Sequence, residues 1–396
     1  MRTPSKCSLM VLIVVMVLSP ATLRADEAVK QIKIGVLTSI TGPFAGEGGE
    51  HGCIGCSQAI ANGAQLAAYQ LNKRGGILGH WITLIIKDTH GTDGGARRAV
   101  SELAQENVFA LVGVHQSEAV LGAAEVAAEN NIFLMVTTAA HPRLASYIKE
   151  DYAKYRMVFR LGKELSQWGD ISILFLEKIA KAKNYYFIGY DAIWNHKLAH
   201  YLMSHCEVPC LGASFYLPGV GPTDNDMKQI KELNPDIVVN GDPGGTHYVL
   251  LHHQYGIAAT IFSVGGALAN ANTIRTLGGA GDGLAFHCAY YDTSSEFYKA
   301  FLHYHGFDPL WYCDFLAYEA VNLIARALTK AGSLDRDQLI TILEKGQSEG
   351  LGGTYQFDQN HQARWGKGYL PGYICQWHGD KATVLYPKEK SPFIRK

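Results

Sequence analysis

From residue 32 onward, short runs rich in β-branched residues alternate with stretches whose apolar positions recur at helical spacing. That alternation is the pattern of an α/β fold with mainly parallel sheets. Residues 32–38 read as the first strand. Ile60, Ala64, Ala67, Ala68 and Leu71 then share one helical face, which stops at Gly75-Gly76. Strands at 81–87, 110–114 and 133–137, with helices near 95–105 and 119–129, complete a four-strand series. After the polar stretch 146–156 the pattern restarts, with Ile171, Leu174, Phe175 and Ile179 on one helix and strands at 185–189, 211–216, 237–240, 260–263 and 284–290. Two successive helices, 313–330 and 335–345, and short β pieces at 354–357 and 369–377 end the chain. The interruption and the non-alternating tail argue against a closed barrel. Two α/β lobes with a cleft between them are expected, one from residues 30–158 and 288–354, the other from 159–287 and 355–396.

The longest apolar run, residues 9–18, is half the length of a bilayer-spanning helix. With Arg2 and Lys6 before it and Leu23-Arg24-Ala25 after it, it reads as a secretory signal over residues 1–25, cut near Ala25. The chain carries 35 basic and 36 acidic side chains. Cleavage removes Arg2, Lys6 and Arg24 and no acid, leaving a mildly acidic protein without the basic excess that nucleic acid or an anionic membrane would need. Export to the periplasm is expected, and Cys7 stands before the apolar run, where it cannot become a lipid-anchored mature terminus.

Seven cysteines follow the cut: Cys53, Cys56, Cys206, Cys210, Cys288, Cys313 and Cys375. An oxidising compartment permits disulfides, and an odd count leaves at least one thiol unpaired. A local bridge between Cys206 and Cys210 fits their spacing. His51-x-Cys53-x2-Cys56 places three soft donors in six residues, but no fourth ligand stands near them in sequence, so a disulfide or a rim loop is the simpler account. No nucleophile elbow, Walker loop, complete dinucleotide fingerprint or His-Glu-x-x-His is present. The reading is therefore not of an enzyme, and neither a cofactor nor a metal is expected.

The segment Ile34-Gly35-Val36-Leu37-Thr38-Ser39-Ile40-Thr41-Gly42-Pro43, taken with Asn72-Lys73-Arg74-Gly75-Gly76-Ile77-Leu78-Gly79 and Asp88, resembles the leucine/isoleucine/valine-binding protein family, the type I periplasmic receptors of ABC transporters. Leu111-Val112-Gly113, residues 134–140, Asn234-Pro235-Asp236 and Tyr355-Gln356-Phe357-Asp358 extend the likeness across nearly the whole mature chain. The resemblance implies two Rossmann-like lobes joined by three crossovers, a monomer that closes on a small ligand, and delivery to a membrane permease. Ligands of open α/β sheets sit beyond the carboxyl ends of the strands, which nominates Phe44, Ser117, Glu118, Ala139 and His141 in the first lobe and Tyr190, Trp194, Asp242 and Gly266 in the second. Ser117 matches the family serine that holds a ligand carboxylate, and it is equally placed to cap its helix. Trp194 matches a family aromatic that covers the ligand, or it packs a helix start.

The departures from the family pattern bear on the ligand. Family members that bind amino acids carry an acid for the ammonium where this chain has Gly265-Gly266, and the family threonine near the end of strand four is His141. Glu118 follows Ser117 where a small polar residue is usual. Asp242 either supplies the missing charge or caps the turn before Pro243-Gly244-Gly245. The expected function is a periplasmic receptor for a small organic solute other than a simple α-amino acid. Its alternatives are a sensor that signals to a partner protein and a thiol or metal protein built on Cys53 and Cys56.

Overall fold

The computed structural model describes residues 30–42, 55–217, 220–242, 244–264 and 266–388. The signal reading of residues 1–25 and the readings of Phe44, His51 and Cys53 lie outside them.

The first part of the chain runs β1 (Gln31–Thr38), α1 (Cys56–Lys73), β2 (Trp81–Asp88), α2 (Asp93–Gln105), β3 (Ala110–Gly113), α3 (Ser117–Glu129), β4 (Phe133–Val136), α4 (Arg143–Glu150), α5 (Tyr152–Tyr155) and β5 (Val158–Arg160). The second runs α6 (Leu165–Ile173), β6 (Tyr185–Tyr190), α7 (Ile193–His205), β7 (Cys210–Tyr216), α8 (Asp224–Leu233), β8 (Ile237–Asn240), α9 (Thr246–Gln254), β9 (Thr260–Ser263), α10 (Ala271–Leu277) and β10 (Ala285–Cys288). The last runs α11 (Glu296–His305), α12 (Cys313–Ala331), α13 (Arg336–Lys345), β11 (Ser348–Gly350), β12 (Gly353–Tyr355), β13 (Tyr373–His378) and β14 (Lys381–Tyr386).

Two sheets form. The first has the order β2-β1-β3-β4-β5 and is parallel throughout. The second has the order β14-β13-β10-β9-β8-β6-β7, with β13 and β14 added antiparallel at one edge. Parallel strands buried on both faces need continuous apolar runs, and β3, β4 and β8 are fully buried along their lengths. The polar stretch 146–156 is not a plain linker. It carries most of α4 and all of α5 and leads into a fifth strand, β5, whose three residues give too short a run for an apolar pattern to register.

α12 returns to the first lobe and lies along α1. It is buried around nearly its whole circumference, as a helix apolar on all sides must be. The two helices approach closely because Gly63 of α1 faces the backbone carbonyl of Asp314 at the start of α12, where a Cβ would overlap that oxygen. The close approach brings the first residues of both helices, Cys56 and Cys313, to the same end of the lobe.

The chain passes between the sheets after β5, after β10 and before β13. The first and third passages are stitched side by side. Arg160 N–H donates to the His361 carbonyl (2.9 Å) and Ala363 N–H to that of Arg160 (2.8 Å). Gln362 Nε2 donates to the Gly162 carbonyl (2.8 Å), and Trp365 Nε1 to that of Leu161 (3.1 Å). Lys163, in the same passage, is fully buried with its ammonium nitrogen 3.1 Å from the Trp365 ring centre. Among the described residues neither Lys163 Nζ nor either ring nitrogen of His287 has a hydrogen-bond partner. Gly372 is what makes room for them, since a Cβ there would stand 2.8 Å from Nζ and 3.2 Å from His287 Nε2.

Burial pushes Lys163 well below a lysine's ordinary 10.5 and His287 well below 6.5. A lysine whose folded pKa is held below its unfolded value costs stability at neutral pH, and that cost shrinks as the pH rises toward 10.5. Lys163→Met is therefore expected to stabilise the protein by about 1 to 3 kcal/mol at pH 7. Denaturant unfolding across the alkaline range should show the wild type, and not the variant, gaining stability with pH; equal slopes would contradict the account.

Candidate ligand-binding site

The carboxyl ends of β3 and β4 face those of β6 and β9 across a cleft of about 500 Å³, open solvent included. The first lobe lines it with Cys56, the run His115, Gln116, Ser117 and Glu118, then Thr138 and Ala140, and finally Tyr312 and Cys313. The second lobe contributes Trp168, Tyr190, Trp194, Val264 and Gly266. Trp168, Tyr190, Trp194 and Tyr312 are the aromatic members of the wall, and Trp168 packs 4.8 Å from Tyr312 and 6.2 Å from Trp194, ring centre to ring centre. Trp194 Nε1 donates to the Tyr190 hydroxyl at 3.2 Å.

The turn between β3 and α3 is held under constraint. Val114 is fully buried with φ +65°, a left-handed conformation that a β-branched residue rarely takes. Its N–H donates to Leu37 (3.0 Å), and its carbonyl accepts from Ala139 N–H (3.2 Å) and Thr138 Oγ1 (3.2 Å). The strain thus turns the chain so that His115 to Glu118 enter the cleft. Behind them, Ser39 Oγ donates to Gln116 Oε1 (2.7 Å) and shares a hydrogen bond with Ser57 Oγ (2.8 Å), tying this turn to the start of α1. Gln116 Nε2 has no partner among the described residues, so an amide donor stands unused at the cleft wall.

Ser117 is the first residue of α3, and the N-cap position belongs to Gln116, whose side chain makes no capping bond. Ser117 is 5% exposed and on the cleft wall. Glu118 reaches across the cleft, where its Oε1 accepts the Ile193 N–H at the start of α7 (3.1 Å). A carboxylate at a helix N-terminus is electrostatically favoured, and here it joins the two lobes.

The structure brings together Ser117, Glu118, Tyr190, Trp194 and Gly266. It does not bring Ala139, His141 or Asp242 to the wall. Ala139 is fully buried in the core of the first lobe, and its neighbours Thr138 and Ala140 line the cleft instead. The His141 ring turns to the start of α4, where Nδ1 accepts the Arg143 N–H (3.1 Å). Burial, with Lys197, Arg160 and Arg143 nearby, lowers its pKa. Asp242 caps its turn: its carboxylate accepts the Gly244 N–H (2.8 Å) and the Tyr216 hydroxyl (2.6 Å).

Cys56, Cys313, Trp168 and Tyr312 are the wall residues that sequence reasoning missed. The cysteines also correct the disulfide expectation. Among the described residues no disulfide joins Cys56, Cys206, Cys210, Cys288, Cys313 or Cys375, and Cys210 Sγ turns to the Gly212 carbonyl (3.3 Å) instead of to Cys206.

Two sheets joined by three passages around an inter-lobe cleft define a type I binding-protein fold. Residues 31–381 match the periplasmic binding protein family, and the chain belongs to it. It is 25% identical over 331 residues to a Leu/Ile/Val-binding protein, BraC3, of Rhizobium johnstonii, covering 82% of this chain and 86% of that one. The substrate-binding protein LivJ of Streptococcus pneumoniae, solved with isoleucine, superposes with a TM-score of 0.76 at 20% identity, over 90% of this chain and 99% of the other. A solute-binding protein from R. palustris, solved with benzoate, superposes with a TM-score of 0.74 at 18% identity, over 90% and 95%.

Proposed function

We propose that this protein is exported to the periplasm, captures a small organic solute in the inter-lobe cleft by lobe closure, and hands it to the permease of an ABC transporter. The observation that carries the reading is the cleft itself: Trp168, Tyr190 and Trp194 of the second lobe and Tyr312 of the first line one cleft, and the Glu118 bond to Ile193 spans it. Membership of the periplasmic binding protein family supports the transport role, and the signal-like residues 1–25 support export.

The solute is read as something other than a simple α-amino acid. Relatives of this fold were solved with both isoleucine and benzoate, so the scaffold accommodates both kinds of ligand. In this chain Gly266 supplies no charge, Asp242 is committed to its own lobe, and Trp168, Trp194 and Tyr190 favour a flat or apolar body. The Ser117 hydroxyl and the Gln116 amide remain to hold a carbonyl or carboxylate.

Native mass spectrometry of protein purified from the periplasm without denaturation tests the reading. A small bound mass that is lost on unfolding is expected, and adding that compound at about 100 times its Kd should raise stability by about 2.7 kcal/mol. Ligand-free protein that no amide, aromatic acid or amino acid stabilises would overturn it. Trp194→Ala is expected to weaken binding of the same solute about thirtyfold, about 2 kcal/mol, while leaving the melting temperature nearly unchanged because the side chain is only half-buried. Calorimetry of the variant checks this, and unchanged affinity would take Trp194 out of the site.

A further inference from the structure

Cys56, His115 and Cys313 are far apart in sequence, yet their ligand atoms all lie within 4.8 Å of one another on the cleft wall. We infer that they form a soft-metal site for a thiophilic d10 ion, Zn2+ or Cu+, with a fourth coordination position open to the solute cleft. The inference rests on the receptor reading only in taking the cleft as the place where a solute arrives.

The donor set fits such an ion. Two thiolates and an imidazole are the soft ligands that zinc and monovalent copper prefer, and two thiolates balance the charge of a divalent ion. A tetrahedral zinc with these ligands needs donor atoms about 3.5 to 3.8 Å apart. The observed spread therefore asks for a contraction of about 1 Å. Each cysteine is the first residue of its helix, α1 and α12, where the positive end of the helix dipole favours a negatively charged sulfur.

The histidine is oriented for the task by a second residue. Thr138 Oγ1 donates its hydrogen to the Val114 carbonyl (3.2 Å), so towards His115 Nδ1, at 3.1 Å, it acts as acceptor. Nδ1 then carries the proton and Nε2 keeps the lone pair, the arrangement that outer partners of metal-binding histidines impose. The frame around the three donors is stiff. Ser57, next to Cys56, is tied through Ser39 to Gln116, next to His115, and the glycine contact at Gly63 fixes Cys313 against α1. Three protein ligands with an open position distinguish a site that accepts a further ligand from a closed structural one. A solute bearing a carboxylate, amine or imidazole would complete the coordination.

The full chain, exported and purified with its thiols reduced, is stripped with a chelator and titrated with Co2+, then with Zn2+, and separately with Cu+ against a chromophoric Cu+ chelator. The expected result is one ion per chain, with thiolate-to-cobalt charge-transfer absorption and tetrahedral ligand-field bands that Zn2+ abolishes. Cys56→Ser and Cys313→Ser should each diminish the charge transfer and weaken Zn2+ by about a hundredfold or more. His115→Gln should weaken it while keeping both thiolate bands, and Cys206→Ser should change nothing. Circular dichroism checks each fold, and His115→Gln decides the matter if a cysteine variant does not fold. No uptake by the reduced wild type, uptake indifferent to all three residues, or a Cys56–Cys313 disulfide in the protein as isolated would overturn the inference. A solute that stabilises chelator-stripped, metal-refractory protein would sink the metal site and leave the receptor standing, whereas metal uptake without any solute binding would do the reverse.

Discussion

Leucine and valine are expected to bind this protein thirty- to several-thousand-fold more weakly than its own solute. A buried ammonium requires a carboxylate, and truncating one side of a desolvated charge pair typically costs about 2 to 5 kcal/mol. At the second-lobe wall the chain presents Gly266, which has no side chain to offer. Asp242 does not compensate, because it is not on the cleft wall and its carboxylate turns to Gly244 N–H and the Tyr216 hydroxyl of its own lobe. Glu118 is the one carboxylate on the described wall, and it accepts the Ile193 N–H across the cleft. An incoming ammonium would have to break that inter-lobe bond to gain a partner. Calorimetry with leucine, valine, an aliphatic amide and an aromatic acid makes the comparison, and submicromolar leucine binding would contradict the account.

Gly63→Val is expected to destabilise the protein by about 3 kcal/mol or more. The side chain would be driven into the Asp314 carbonyl, an atom of helical backbone that cannot swing aside. Overpacking at a flexible side chain costs about 1 to 3 kcal/mol, and a rigid neighbour puts this case at or beyond the upper end. The two helices would separate at the end where Cys56 and Cys313 lie. Ala59→Gly, one turn earlier on the same buried face, removes volume instead of adding it and should cost about 1 kcal/mol from helix propensity alone. Chemical denaturation of the two variants separates crowding from a general sensitivity of α1, and equal losses would remove the close-approach argument.

The strands and helices of both lobes were legible in the sequence wherever an apolar run was long enough to show its period. β1, α1 and α12 follow from β-branched runs and helical spacing. β5 and β14 did not, since the first has three residues and the second alternates only weakly at the sheet edge. Strand ends also marked much of the cleft, Ser117, Glu118, Tyr190, Trp194 and Gly266 among them. Ala139 and His141 illustrate the limit. A position at a strand end is fixed by the sequence pattern, but the direction of its side chain depends on local bonds such as that from Arg143 N–H to the His141 ring. Cys56 and Cys313 show a second limit. Periodicity tells which face of a helix is buried and not which distant helix covers it, so their meeting depends on a packing contact at Gly63 that no spacing encodes.

Closure around a solute is the central claim, and small-angle scattering measures it most directly. The protein is stripped by unfolding, dialysis and refolding, and then saturated with the compound released during stripping. The radius of gyration is predicted to fall on saturation as the lobes rotate together about the three passages. Identical scattering with and without bound solute would contradict the account.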